Sequence, residues 1–205
     1  MAEHGYIHRS EPGAGPGAPL LVLLHGTGGD EHQLIGLGRQ LLPQARLVAP
    51  RGDVSEHGAA RFFRRTGEGV YDMDDFERAT DKLARFVAGQ AALDTPAQTV
   101  ALGYSNGANV LASLLFSQPQ LLDRAVLMHP LIPFMPEPQP GLAGKPILIT
   151  AGRRDPIGPA ALTQALADYL KGQGAQVTLF WHDGGHEVAQ AELAAVQEFL
   201  NGLGT

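Results

Sequence analysis

The 205-residue chain contains no cysteine. Thiol catalysis, disulfide bonding and thiolate metal sites are therefore excluded. No apolar run approaches the roughly 18 residues that a membrane span requires. Charge is sparse, at 18% of residues, and tilts acidic, with a formal net charge of −6. A nucleic-acid partner calls for a basic stripe that displaces counterions, and none is evident. Neither a membrane nor a nucleic acid is thus an expected partner. The pattern G-x-x-x-x-G-K-[ST] is missing, which removes a nucleotide-phosphate loop. The opening stretch "MAEHGYIHRSEPGAGPGAP" lacks both the basic and the apolar part of a secretory leader, so a cytoplasmic location is expected.

What is there fits a globular protein, with 44% hydrophobic residues in a length suited to one core. One domain over residues 1–205 is expected, with 1–19 an edge segment and loop. Six short apolar runs recur at 20–25, 45–50, 99–104, 124–129, 146–151 and 176–181. Runs without alternation suit strands buried on both faces of a parallel sheet.

The intervals between them carry helical spacing. Leu34, Leu37 and Leu41 follow Asp30 and Gln33, which resemble a capping box. Phe76, Ala79, Leu83, Phe86 and Val87 form a stripe behind Asp74 as cap. A helix opening at Pro159 stops at Gly172, and another puts Val188, Ala191, Ala195 and Phe199 on one face. "NVLASLLF" (109–116) is apolar all round, as a deeply buried helix is. Strand and helix alternate, so the prediction is an α/β fold: one doubly wound, mostly parallel sheet of about six to seven strands. The segment 130–145 is too short for a helical lid, so no large cap domain is expected.

Between the third run and the apolar helix stands Gly103-Tyr104-Ser105-Asn106-Gly107. A plain turn is one reading. The other is a G-x-S-x-G elbow, where glycines make room for a sharp corner and the serine hydroxyl is held out as a nucleophile. A hydroxyl needs a base, and the base an orienting acid. Asp155 follows the fifth run and His186 the sixth, in the chain order Ser, Asp, His.

Rivals exist at each place. His182 lies nearer its strand and suits packing, Asp183 suits a turn, and His25 and His129 suit holding loops. A metal on His182 and His186 needs a helix that Gly184 and Gly185 oppose. No metal and no cofactor are expected. Glycines around Thr27 let a backbone N–H face the elbow, with the N–H of Asn106 as second oxyanion donor.

Together "LLHGTGGDE", "PRGDVSEHGAARFFRR", "GYSNGAN", "AGRRDPI" and "GGHE" resemble the phospholipase/carboxylesterase family of α/β-hydrolases, close to acyl-protein thioesterases and dienelactone hydrolases. The resemblance implies the α/β-hydrolase fold, with Ser105 as nucleophile, His186 as base, Asp155 as acid, and oxyanion donors at Thr27 and Asn106. The segment "RRTGEGVYDMDD" is unlike the thioesterase branch and is similar to a bacterial predicted-esterase branch. The expected partner is a small-molecule ester, short-chain or aromatic. Phe62, Phe63, Leu131, Ile132 and Phe134, with Met135, are candidates for its apolar contacts. Arg64 and Arg65 are read as pairing with Glu68 and Asp72 or as meeting an acidic substrate group. A thioesterase or lactone hydrolase would use the same residues, and a non-catalytic binder would not need all three. Exposed apolar edges admit a homodimer.

Overall fold

The computed structural model describes residues 5–67 and 69–202. In chain order the elements are β1 (His8–Glu11), β2 (Leu20–Leu24), α1 (Ile35–Leu41), β3 (Arg46–Pro50), β4 (Val54–Glu56), β5 (Ala59–Arg61), β6 (Arg65–Gly67), β7 (Val70–Tyr71), α2 (Met73–Asp94), β8 (Thr99–Tyr104), α3 (Asn106–Ser117), β9 (Arg124–Met128), β10 (Pro146–Gly152), α4 (Ala160–Gly172), β11 (Gln176–His182) and α5 (Gln190–Asn201). Seven strands form the central sheet in the order β1-β3-β2-β8-β9-β10-β11. Only β1 runs antiparallel, on the edge beside β3. This is the α/β-hydrolase fold, without a large cap domain.

Alternate strand residues feed opposite faces, as a pleated strand requires. Leu20, Val22 and Leu24 join a core under α2, α3 and α4, whereas Leu21 and Leu23 join one under α1 and α5. The chain goes from β2 to β3 on one side and then crosses to β8 on the other. That reversal opens a crevice beyond the carboxyl ends of β2 and β8, where open α/β sheets bind ligands.

The departures from expectation are local. Asp30 and Gln33 do not cap α1: Asp30 accepts the His32 N–H at 2.8 Å, and Gln33 Oε1 accepts that of Gly26 at 2.9 Å. The cap of α2 is Asp72, which accepts the Asp75 N–H at 3.1 Å, and Asp74 falls in the first turn. Pro159 sits just before α4. Strand β11 forms an edge and is only half-buried. Helix α5 buries Glu192, Val196 and Leu200, one residue out of phase with the expected face. The hairpins β4–β5 and β6–β7 were not foreseen; their strands are two or three residues long and carry no alternation to read.

Candidate active site

Each chemically relevant side chain stands just beyond a strand. Ser105 follows β8 with φ 52° and ψ −113°, a left-handed corner that a side-chain-bearing residue adopts only under strain. Two glycines permit it. A Cβ on Gly103 would lie 2.5 Å from the Gly107 oxygen, and one on Gly107 would lie 2.1 Å from the Leu24 oxygen. The corner is pinned across the sheet, since Ser105 N–H donates to Met128 O at 2.9 Å. His186 approaches over β10, where Arg153 N–H donates to His182 O at 2.8 Å and Arg154 N–H to Gly184 O at 3.0 Å.

These anchors bring three distant residues together. His186 Nε2 is 2.8 Å from Ser105 Oγ, and His186 Nδ1 is 2.7 Å from Asp155 Oδ2. Asp155 is buried, and its Oδ1 accepts the N–H groups of Ile157 at 2.8 Å and Gly158 at 3.0 Å. Burial opposes its charge, but these backbone bonds and those from His186 and His129 prevail and hold the carboxyl below its ordinary range.

Around this line the loop after β2 is nearly saturated. Gly26 N–H donates to Gln33, Gly28 N–H to Ala60 O at 3.0 Å and Gly29 N–H to Gly26 O at 3.0 Å. Among the described residues, the Thr27 amide is the one of these four without a partner. The Asn106 amide, first in α3, is likewise an unsatisfied helix-start donor. The Asn106 side chain is bound, its Oδ1 accepting the Phe62 N–H at 2.8 Å.

A pocket of about 280 Å³ opens over Ser105, walled by Thr27, Arg61, Arg65, Tyr71, Leu131 and Ile157 among others. Of the expected apolar contacts only Leu131 is there. Phe62 and Phe63 are fully buried in the core: Phe62 packs on His25 and Tyr6, and Phe63 on Tyr71 and Phe76. Ile132 and Phe134 face a different cavity with Met135, against α4. In Phe62 and Phe63 the apolarity that suggested contact is spent on core packing.

Arg64 pairs with Asp72 at 3.1 Å and Arg65 with Glu56 at 3.0 Å; Glu68 lies outside the described residues. Sequence reasoning missed Tyr71, Asn109, Ile157 and Arg61. Asn109 was the most accessible of them, being one turn after Ser105; its Oδ1 accepts the Leu131 N–H at 2.6 Å and so fixes a pocket wall.

The other histidines hold structure. His25 Nε2 accepts the Gly52 N–H at 2.9 Å, and its Nδ1 donates to Gly26 O at 2.7 Å; burial lowers its pKa, so the ring stays neutral. His129 reaches Asp155 and Glu192. With His182 or His186 these groups put three ligand-type atoms within 4.8 Å of one another. Their protons argue against a metal. His182 Nδ1 accepts the Gly184 N–H at 3.0 Å, so the neutral ring carries its proton on Nε2, the nitrogen facing the cluster. Both His129 nitrogens face carboxylate oxygens, and both His186 nitrogens are engaged.

A serine on a strained strand-to-helix corner, joined through an imidazole to a buried carboxylate on this sheet, is the arrangement of an α/β-hydrolase. The chain belongs to the phospholipase/carboxylesterase family, whose model matches residues 8–203. It is 42% identical over 182 residues to MhqD of Bacillus subtilis (strain 168), which carries a provisional hydrolase name; the match spans 88% of this chain and 91% of that protein. It superposes on the protein Atu2452 of Agrobacterium tumefaciens, of unknown function, with a TM-score of 0.93 at 55% identity over the whole of both chains. It superposes on the Bacillus cereus carboxylesterase with a TM-score of 0.92 at 37% identity, covering 98% and 96% of the two chains. The protein is accordingly a hydrolase of the esterase type. Among the described residues no helix is long and apolar enough to cross a membrane.

Proposed function

We propose that the protein is a serine carboxylesterase that cleaves short-chain or small aromatic carboxylic esters through an acyl-enzyme. One observation carries this reading: the unbroken hydrogen-bonded line from Ser105 Oγ through both nitrogens of His186 to the buried Asp155, on the floor of an open pocket.

In this mechanism Ser105 Oγ attacks the ester carbonyl as His186 Nε2 takes its proton. Asp155 keeps the remaining proton on Nδ1 and stabilises the imidazolium. The carbonyl oxygen becomes an oxyanion facing the unpartnered amides of Thr27 and Asn106, each such donor being worth about 3–4 kcal/mol. Collapse expels the alcohol, which leaves with the proton from His186. Water then attacks the acyl-enzyme with its proton passing to the same nitrogen, and the acid departs as Ser105 is restored.

The substrate range follows from the pocket. Its volume lies at the lower end for small-molecule sites, and Tyr71, Leu131 and Ile157 offer a short apolar wall rather than a tunnel. A thioester or lactone would meet the same reacting groups, and a substrate panel separates these activities. A fluorophosphonate should label Ser105, and Ser105→Ala should lose about 10⁴–10⁶ in kcat. A folded chain that resists labelling refutes the reading. In a series of p-nitrophenyl esters activity should peak among short acyl groups; a peak at C12 or longer refutes the assigned substrate range.

A further inference from the structure

The line of side chains does not end at Asp155. His129, at the end of β9, is buried with φ 51°, and its backbone is fixed by donation of its N–H to Thr150 O at 2.8 Å. Its Nδ1 is 3.1 Å from Asp155 Oδ2, the oxygen that also receives His186. Its Nε2 is 3.2 Å from Glu192 Oε2. Glu192 is fully buried in the first turn of α5, where a helix start favours a negative charge. It accepts the Ala189 N–H at 3.1 Å and the hydroxyl of Thr150.

A neutral imidazole owns one N–H, so one of these two contacts would set a lone pair against a carboxylate oxygen. With both carboxyl groups ionised, as their lowered pKa values favour, only the doubly protonated ring satisfies both. We propose that His129, as an imidazolium clamped between Asp155 and Glu192, is a positioning residue that holds the acid of the Ser105–His186–Asp155 line and offsets the second buried negative charge behind His186. This rests on the Ser105 reading above. Burial works against a charged ring at His129, but its bonds to and attraction by Glu192 and Asp155 outweigh it, and the net displacement of its pKa is upward.

The charge count gives the clamp its role. Two buried carboxylates with one cation leave a single negative charge behind His186, and its ring centre is 5.2 Å from that of His129. Without the cation there are two negative charges. They would hold a proton on His186 to higher pH, and a protonated base cannot accept one from Ser105. The other titratable groups facing His129 are His182 at 5.4 Å and Tyr104 at 5.9 Å between ring centres, together with the charge of Glu187. His182 Nδ1 accepts the Gly184 N–H, the Tyr104 phenol carries no positive charge in either of its forms and Glu187 is an exposed acid, so none of them replaces the cation.

The test is the pH dependence of kcat/KM on p-nitrophenyl acetate, with fluorophosphonate labelling alongside. His129→Asn suits the left-handed backbone and keeps a donor near Asp155 while removing the charge. Its acid limb should move up by about two pH units, from charges near 5 Å apart at an effective dielectric of about 20. Adding Glu192→Gln restores the charge count, and the limb should return toward its original place. An H129N limb that stays put while kcat falls equally at every pH makes His129 merely structural and overturns the proposal.

A second measurement needs no variant. In the unaltered protein at pH 7, ¹⁵N NMR of His129 should find both ring nitrogens protonated, and a neutral tautomer overturns the clamp. If the folded wild-type chain fails to label, the Ser105 reading falls and takes the positioning role with it. Labelling with an unmoved limb removes the clamp alone.

Discussion

A methyl group at Gly107 probes how closely the elbow is fitted to its neighbours. An added Cβ would stand 2.1 Å from the oxygen and 2.5 Å from the carbon of Leu24, and 2.6 Å from the oxygen of His25. These are backbone atoms at the end of a buried strand, and no side chain can rotate away. Ordinary contact begins near 3.4 Å, so the start of α3 must retreat from β2 by about 1 Å. Overpacking of this kind costs about 1–3 kcal/mol. In a chain of this size that is a fall in Tm of roughly 2–12 °C.

The same retreat would carry Ser105 and the Asn106 amide away from Thr27 and His186, and a misplacement of about 1 Å is worth on the order of 10² in rate. Gly36 is the control, because it is exposed within α1 and an added Cβ there meets nothing within 4 Å. Gly36→Ala should raise stability by about 0.5–1 kcal/mol and leave kcat alone. Thermal melts with p-nitrophenyl acetate kinetics on both variants decide it. If Gly107→Ala matches Gly36→Ala in both, the close approach of α3 to β2 is not what holds the elbow.

Phe63→Ala should cost about 3–5 kcal/mol with KM unchanged, because the ring is wholly buried against Tyr71 and Phe76; an altered KM at unchanged Tm would return Phe63 to the pocket. The charge cluster makes a prediction for stability against pH. Asp155 and Glu192 are held below the ordinary carboxylate range, so their contribution is present above about pH 4 and lost as pH falls through their folded values. His129 is held above the ordinary imidazole value, so its contribution is full below about pH 6.5 and lost as pH rises through its folded value. The Tm difference between wild type and His129→Asn should therefore shrink from pH 6 to pH 9, and a gap that widens over this range contradicts the assignment.

The strands were legible because a sheet covered on both faces writes itself as unbroken apolar runs. Five of the six runs are central strands. The sixth, β11, has the same composition but lies at the edge, a difference that depends on order in the sheet and not on local sequence. Ser105, Asp155 and His186 could be picked out because each follows such a run, and the geometry brings all three within hydrogen-bonding distance.

Where the reading failed, tertiary contact overrode local pattern. The apolar face expected for α5 was Val188, Ala191, Ala195 and Phe199, whereas His129 and Thr150 bind Glu192 inside and the helix is turned one residue with it. Phe62 and Phe63 lie beside residues of the pocket wall, but their rings point into the core. Gln33 had a capping partner in sequence and a better one in space, the amide of Gly26.

The hairpin β6–β7 forms a ribbon of its own, paired to no strand of the large sheet, yet Arg65, Gly69 and Tyr71 line the pocket from it. The reacting groups are moored elsewhere, to the ends of β8, β10 and β11. On the esterase reading, part of the substrate wall would then be carried by a piece of chain other than those that carry the chemistry. Substitutions at Arg65 and Gly69, with Tyr71 kept for its packing on Phe63 and Phe76, would offer a route to altered ester preferences.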